Sequence, residues 1–142
     1  MIDFSSLASV IRQLEKSLAY ANSDAARNDA GLFEQLRNAV IHCFELTYGL
    51  SHKMLKRYLE ATAGTPEEID VSAFQTIIRM GNEQGLLRSD WHRWKTYRQA
   101  RTNSSHTYDA DKAQAVYDIA SDFLDEARFL LHQLSSRNID HG

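Results

Sequence analysis

Apolar residues recur at three- and four-residue intervals through most of the chain, the spacing that lines one face of an α-helix. Leu7, Val10, Ile11, Leu14 and Leu18 form a first stripe, and Asn22-Ser23-Asp24 supplies the break after it. The second and longest stripe runs through Leu32, Leu36, Ala39, Val40, Cys43, Phe44, Leu50, Met54, Leu55, Tyr58 and Leu59. It ends before Ala63-Gly64-Thr65-Pro66, where Gly64 and Pro66 act as stop signals. Asp70-Val71-Ser72 opens a shorter helix with Ser72 and Gln75 at capping-box spacing, Phe74, Ile77 and Ile78 as its apolar side, and Gly81 and Gly85 as its close. Ser89-Asp90 caps a further helix carrying Trp91, Trp94 and Tyr97. Asp109 or Asp111 starts the last one, whose stripe is Val116, Ile119, Ala120, Phe123, Ala127, Leu130, Leu131 and Leu134. No segment alternates with period two over a useful length. The pattern therefore predicts an all-α fold: an antiparallel up-and-down bundle of the four-helix type, in which three long helices form three sides and two short ones the fourth. A single domain spans residues 1–142, with a tail from Ser136 to Gly142 expected to fray.

Composition supports that frame. A chain of 142 residues that is 43% apolar, with one Pro, has enough length and hydrophobicity for a real core. Its net charge of −3 argues against a uniformly basic surface, so any contact with RNA must be local. The single cysteine, Cys43, lies in an apolar helical run and excludes an internal disulfide or a cysteine-based zinc site. Met1-Ile2-Asp3-Phe4 lacks the basic and apolar regions of a secretion signal, and no apolar run approaches membrane-spanning length. A soluble, cytoplasmic protein with no membrane partner is expected.

The candidate chemistry sits where the aromatic-bearing helix gives out, at Arg101-Thr102-Asn103-Ser104-Ser105-His106-Thr107-Tyr108. Arginine offers fixed, forked donors to phosphate oxygens, and histidine is the side chain whose unperturbed pKa lets it move protons near neutral pH. On an unbroken helix, residues five apart are rotated by about 140°, so Arg101 and His106 would face different sides. Asn103-Ser104-Ser105 is a run of poor helix formers whose side chains compete for backbone bonds, so a helix end there would swing His106 back toward Arg101. Arg98, one turn earlier, extends the positive edge. From the residues alone a plainer reading stands beside this one: Arg101 paired with an acid, His106 capping a carbonyl, and Tyr108 covering the core.

A resemblance bears on that choice. The stretch from Phe44 through Glu60 resembles the second helix of HEPN-domain proteins of the HepT type, a family often labelled nucleotidyltransferase substrate-binding proteins. In that family an Arg, four residues, His, one residue and Tyr follow a short Trp-containing helix, and Arg101, His106, Tyr108 and Trp91 match in order and spacing. Two positions depart from the pattern. Relatives usually carry Asn directly after the motif Arg, where this chain has Thr102 and then Asn103, and Gly49 replaces a larger, commonly acidic residue. The resemblance implies a homodimeric toxin of a toxin–antitoxin pair, an endoribonuclease that needs no metal or cofactor. Arg101 would neutralise the scissile phosphate and His106 would transfer protons as the ribose 2′-hydroxyl attacks, leaving a 2′,3′-cyclic phosphate. Arg98, Thr102, Asn103 and Ser105 would support the site or touch RNA. A partner minimal nucleotidyltransferase would use ATP to adenylylate Tyr108 and silence the site, with a higher hetero-oligomer of the two proteins in prospect. The alternative, from the older family label, is a non-catalytic subunit that holds nucleotide or substrate for its partner.

Other candidates carry less. Trp91, Trp94 and Tyr97 could stack on bases but are read as packing, and Lys53, Lys56 and Arg57 form a basic patch that could track RNA, the plainer reading being a solvated face beside Glu60. His42 and His52 do not share a helix face, while His92, His132 and His141 lack partners at ligand spacing. Asp109 and Asp111 are read as helix caps. The second helix, which carries Phe44, Tyr48 and Tyr58, is a candidate dimer face.

Overall fold

A computed structural model of the chain describes residues 2–70 and 72–138. Its helices are α1 Ser5–Ala21, α2 Asp24–Arg27, α3 Ala30–Thr62, α4 Pro66–Asp70, α5 Phe74–Glu83, α6 Trp91–Asn103 and α7 Ala110–Asn138. The chain is all-helical, as the periodicity predicts. α1, α3 and α7 are the three long members; α5 and α6 close the fourth side between α3 and α7. Two one-turn helices, α2 and α4, occupy segments that the pattern reads as breaks. Ser23 makes the first, its side chain accepting from the amide of Ala26. Pro66 begins the second, because a residue without an N–H and with a preset φ suits a first helical position.

Several local expectations change. Ser72 does not cap α5: Ala73 is the residue before that helix, and the Ser72 hydroxyl donates backward to the carbonyl of Glu68. Val71 lies outside the described residues, as do 139–142 of the expected tail, whereas Ser136 and Arg137 are still helical. Gly81 does not end α5. It lies inside the helix, where an added Cβ would stand 3.1 Å from Leu55 Cδ1 and 3.1 Å from Leu87 Cδ1. Gly85 makes the stop instead, with φ of +75°, a conformation that suits a residue without a side chain. The start of α3 projects beyond the core: Leu32 and Ala39, placed on the buried stripe by periodicity, are exposed. Phe44, Tyr48 and Tyr58 prove to be buried within the chain's own core, so they are not an outward dimer face.

α6 is held by aromatic packing. Trp94 meets Tyr97 edge-on at 5.2 Å between centroids and Phe123 of α7 at 5.7 Å, while Tyr97 meets Phe123 at 4.9 Å. Tyr48 of α3 lies 6.2 Å from Trp94, so three helices converge on one aromatic core. A polar clasp adds direction. The Tyr97 hydroxyl donates to Asp122 Oδ2 at 2.7 Å, and Arg88 Nη2 donates to Asp122 Oδ1 at 2.8 Å. Below it the buried Glu126 accepts from the amide of Arg88 at 2.7 Å, and burial pushes its carboxyl above the usual range. For Asp122, burial alone would raise the carboxyl, but the bonds from Tyr97 and Arg88 outweigh it and hold it below the ordinary 3.8.

Two stability experiments follow from these contacts. Gly81→Ala should cost about 1–2 kcal/mol through overpacking against Leu55 and Leu87, whereas Gly49→Ala, mid-helix with open space around it, should gain about 1 kcal/mol; urea unfolding measures both. Asp122 holds its proton less tightly when folded, so its contribution is present above the unfolded value of 3.8 and is lost as pH falls through the folded value. Asp122→Asn should therefore cost about 1 kcal/mol near neutral pH, discounted for its partial exposure, and the gap from the parent protein should close in acid.

Candidate functional site

The Arg101 to Tyr108 segment is the junction between α6 and α7, and its conformation follows from the residues at each end. Ser104 caps α6, its amide still bonded to the Ala100 carbonyl at 2.9 Å. The amides of Ser105 and His106 then bond to the Thr102 and Asn103 carbonyls, winding the last residues into tight turns. Asp109 starts α7, its carboxylate accepting from the amides of Asp111 and Lys112, while its own amide bonds to the His106 carbonyl. The helix break expected from Asn103-Ser104-Ser105 is present.

That break brings His106 and Tyr108 together. His106 Nδ1 and the Tyr108 hydroxyl share a hydrogen bond of 3.0 Å, with the two rings edge-on at 5.7 Å between centroids. The bond engages Nδ1, and Nε2 has no hydrogen-bond partner among the described residues. Tyr108 is 85% exposed and covers no core, which removes the plainer reading of that residue. Arg101 is not joined to His106 by any hydrogen bond. Its Nη1 donates to Ser104 Oγ at 3.2 Å, and the Ser104 hydroxyl in turn donates to the Arg101 carbonyl at 2.6 Å. With its proton committed to that carbonyl, the Ser104 oxygen presents only lone pairs to the guanidinium. No carboxylate pairs with Arg101 among the described residues, so its charge is oriented without being neutralised.

The supporting candidates divide. Thr102 returns its hydroxyl to the Arg98 carbonyl at 3.3 Å, and Asn103 accepts from Gln99 at 3.3 Å, so both spend their side chains on α6. Ser105 is exposed at the turn. Arg98 is exposed and lies over the Phe74 ring at 5.5 Å. Beneath the two arginines sits Tyr48, whose phenol is pushed up to about 12 by burial, against the pull of Arg98 and Arg101, and is therefore a neutral donor. Burial and nearby Lys56 lower the His52 pKa, keeping that ring neutral as well. Beside the junction, Ser104 and Thr107 meet Asn38, His42 and Glu45 of α3 around a shallow cavity of about 260 Å³. Among the described residues no group of three or more His, Cys, Asp or Glu side chains is placed to hold a metal ion, and no helix is long and apolar enough to cross a membrane.

Sequence reasoning missed Ser104 and Tyr48. Ser104 is buried, and its signal was available: Trp94, Tyr97, Ala100 and Ser104 continue one helical stripe, so the serine at its end had to turn inward. Tyr48 carried no such signal, because its spacing on α3 only marks an apolar face.

A helical bundle whose short aromatic helix ends in an oriented arginine and an exposed histidine–tyrosine pair defines the class. The chain belongs to the family described as nucleotidyltransferase substrate binding protein like, whose model matches residues 2–136. A Haemophilus influenzae protein named as a probable ribonuclease HepT is 45% identical over 98 residues, covering 69% of this chain and 66% of that protein, just under two thirds of its length. A solved H. influenzae structure, described as the fold of a substrate-binding domain of a nucleotidyltransferase, superposes with a TM-score of 0.85 at 35% identity. The match covers 94% of this chain and 99% of that one.

Proposed function

We propose that this protein is a metal-independent endoribonuclease and the toxin of a two-component system, with Arg101 and His106 as its catalytic residues and Tyr108 as the target of a partner nucleotidyltransferase. The observation that carries this reading is the bond between His106 and an exposed Tyr108. It puts a modifiable hydroxyl directly on the imidazole that moves protons. The name of the H. influenzae relative supports the ribonuclease half, and the family description supports a nucleotidyltransferase partner.

In the cleavage step the ribose 2′-oxygen attacks the adjacent phosphorus and the bond to the 5′-oxygen breaks. The 2′-hydroxyl proton leaves to a base, the 5′-oxygen gains a proton, and a 2′,3′-cyclic phosphate remains. Arg101, held by Ser104 and unpaired with acid, meets the charge that grows on the phosphoryl oxygens. His106 presents Nε2 for proton transfer. Because Arg101 and His106 do not touch within one chain, two copies facing each other across a shared cleft would supply both a base and an acid. In the silencing step the Tyr108 oxygen attacks the α-phosphorus of ATP and pyrophosphate leaves. The hydroxyl becomes an ester oxygen that has no proton to donate, and a bulky anion stands where an RNA phosphate would approach.

Purified protein should cleave single-stranded RNA in the presence of EDTA and leave cyclic phosphate ends, and Arg101→Ala or His106→Ala should each lower the rate by at least about a hundredfold. Binding without cleavage would instead assign the chain as a substrate-binding subunit, the role that the description of the solved neighbour gives that protein. After incubation with the partner and ATP, intact mass should rise by adenylyl units and activity should fall. An adduct that survives Tyr108→Phe would overturn the assignment of the modified residue.

A further inference from the structure

Beyond the motif, the side of α6 that leads away from Arg101 carries chemistry that the core does not require. Between Asp90 and Asp109 the chain has Arg93, Lys95, Arg98 and Arg101 and no acidic residue, within a protein of net charge −3. Arg93 is drawn to Asp122 at 3.7 Å, but Lys95, Arg98 and Arg101 have no carboxylate partner among the described residues. The three remaining cations follow one side of the helix, toward Trp91 at its start.

The aromatic residues of α6 differ from one another. Trp94 and Tyr97 are buried, whereas Trp91 is only partly buried. Trp91 stands 5.9 Å from Phe74, which is also partly buried, and the Arg98 guanidinium lies over that same Phe74 ring. His52, kept neutral, meets Phe74 edge-on at 4.8 Å, and Tyr48 lies 6.0 Å from it. Tyr48 also feels the charges of both Arg98 and Arg101, and Arg98 lies one turn of α6 before Arg101. Partly open rings bordered by unpaired cations, ending at a phosphate-binding arginine, match a strand whose bases need flat surfaces and whose backbone needs positive charge.

We infer that Trp91, Phe74 and Arg98 form a platform on which single-stranded RNA stacks its unpaired bases while Arg101 holds the adjoining phosphate. The inference deepens the ribonuclease reading and rests on it. Charge selects RNA over a second copy of this chain as occupant: an apolar dimer contact gains nothing from a row of unneutralised cations. The Arg98 plane and the Trp91 ring supply sequence-tolerant stacking.

Binding of a fluorescein-labelled oligouridylate of about ten nucleotides to the His106→Ala protein tests this without requiring chemistry. In that background Trp91→Ala and Arg98→Ala should each weaken binding by about tenfold, and Arg98→Lys, which keeps the charge but not the plane, should recover only part of the loss. With Trp94→Phe leaving Trp91 as the sole tryptophan, its emission should be quenched as RNA binds. Thermal unfolding followed by circular dichroism confirms that each variant is folded. Unchanged affinity in Trp91→Ala and Arg98→Ala, or an unresponsive Trp91, would overturn the platform. A shift of folded Trp91→Ala from dimer to monomer in light scattering would likewise overturn it, by giving the strip to a second copy. These outcomes are separate from the ribonuclease reading. If the parent protein cleaves RNA while KM is unchanged in both variants, the platform alone fails; if the His106→Ala protein binds RNA through Trp91 but the parent never cleaves, the catalytic reading alone fails.

Discussion

The adhesion of α6 to the bundle is the constraint on which the site depends. α6 is short and mostly polar, and its grip comes from one stripe: Trp94, Tyr97, Ala100 and Ser104. Trp94 and Tyr97 key into Phe123, and the Tyr97 hydroxyl fastens to Asp122, so the rotation of α6 about its axis is set against α7. Once that rotation is set, Ser104 must point inward, and Arg101, one turn back, must emerge at the edge. The Arg101 cation is thus placed by hydrophobic packing, and its hydrogen bond to Ser104 only trims the final direction.

The same constraint shapes the break that follows. An intact helix would carry His106 away from the arginine side; serines at the end of the stripe stop the helix, and Asp109 starts the next one a few residues later. The short link between two anchored helices has little room to vary. Within it Tyr108 reaches back to His106 while remaining open to solvent.

Much of the fold was legible because long amphipathic helices write their period plainly. The caps at Asp90 and Asp109 and the break at Ser104 followed from local chemistry. What could not be read depends on partners far along the chain. Gly81 looked like a terminator, but its lack of a side chain is needed for contact with Leu55 and Leu87. Phe44, Tyr48 and Tyr58 looked available for an outward face, yet α5 and α6 cover that side of α3 together with α7. Leu32 and Ala39 continued the apolar period past the point where the bundle ends. In the site, the spacing required a turn, which is present, and kept Tyr108 near His106, but the expected return of His106 to Arg101 produces no bond between them, because Arg101 takes Ser104 as its partner.

The Tyr108 hydroxyl and the His106 ring are joined by a hydrogen bond, so that a change on the tyrosine is felt at His106 Nδ1. Nitrogen-15 NMR of the histidine rings measures this most directly, with Tyr108→Phe as the comparison. Removing one oxygen should shift the His106 Nδ1 resonance, while the His92 and His132 rings stay where they were. A His106 ring whose resonances are the same in both proteins would contradict that coupling.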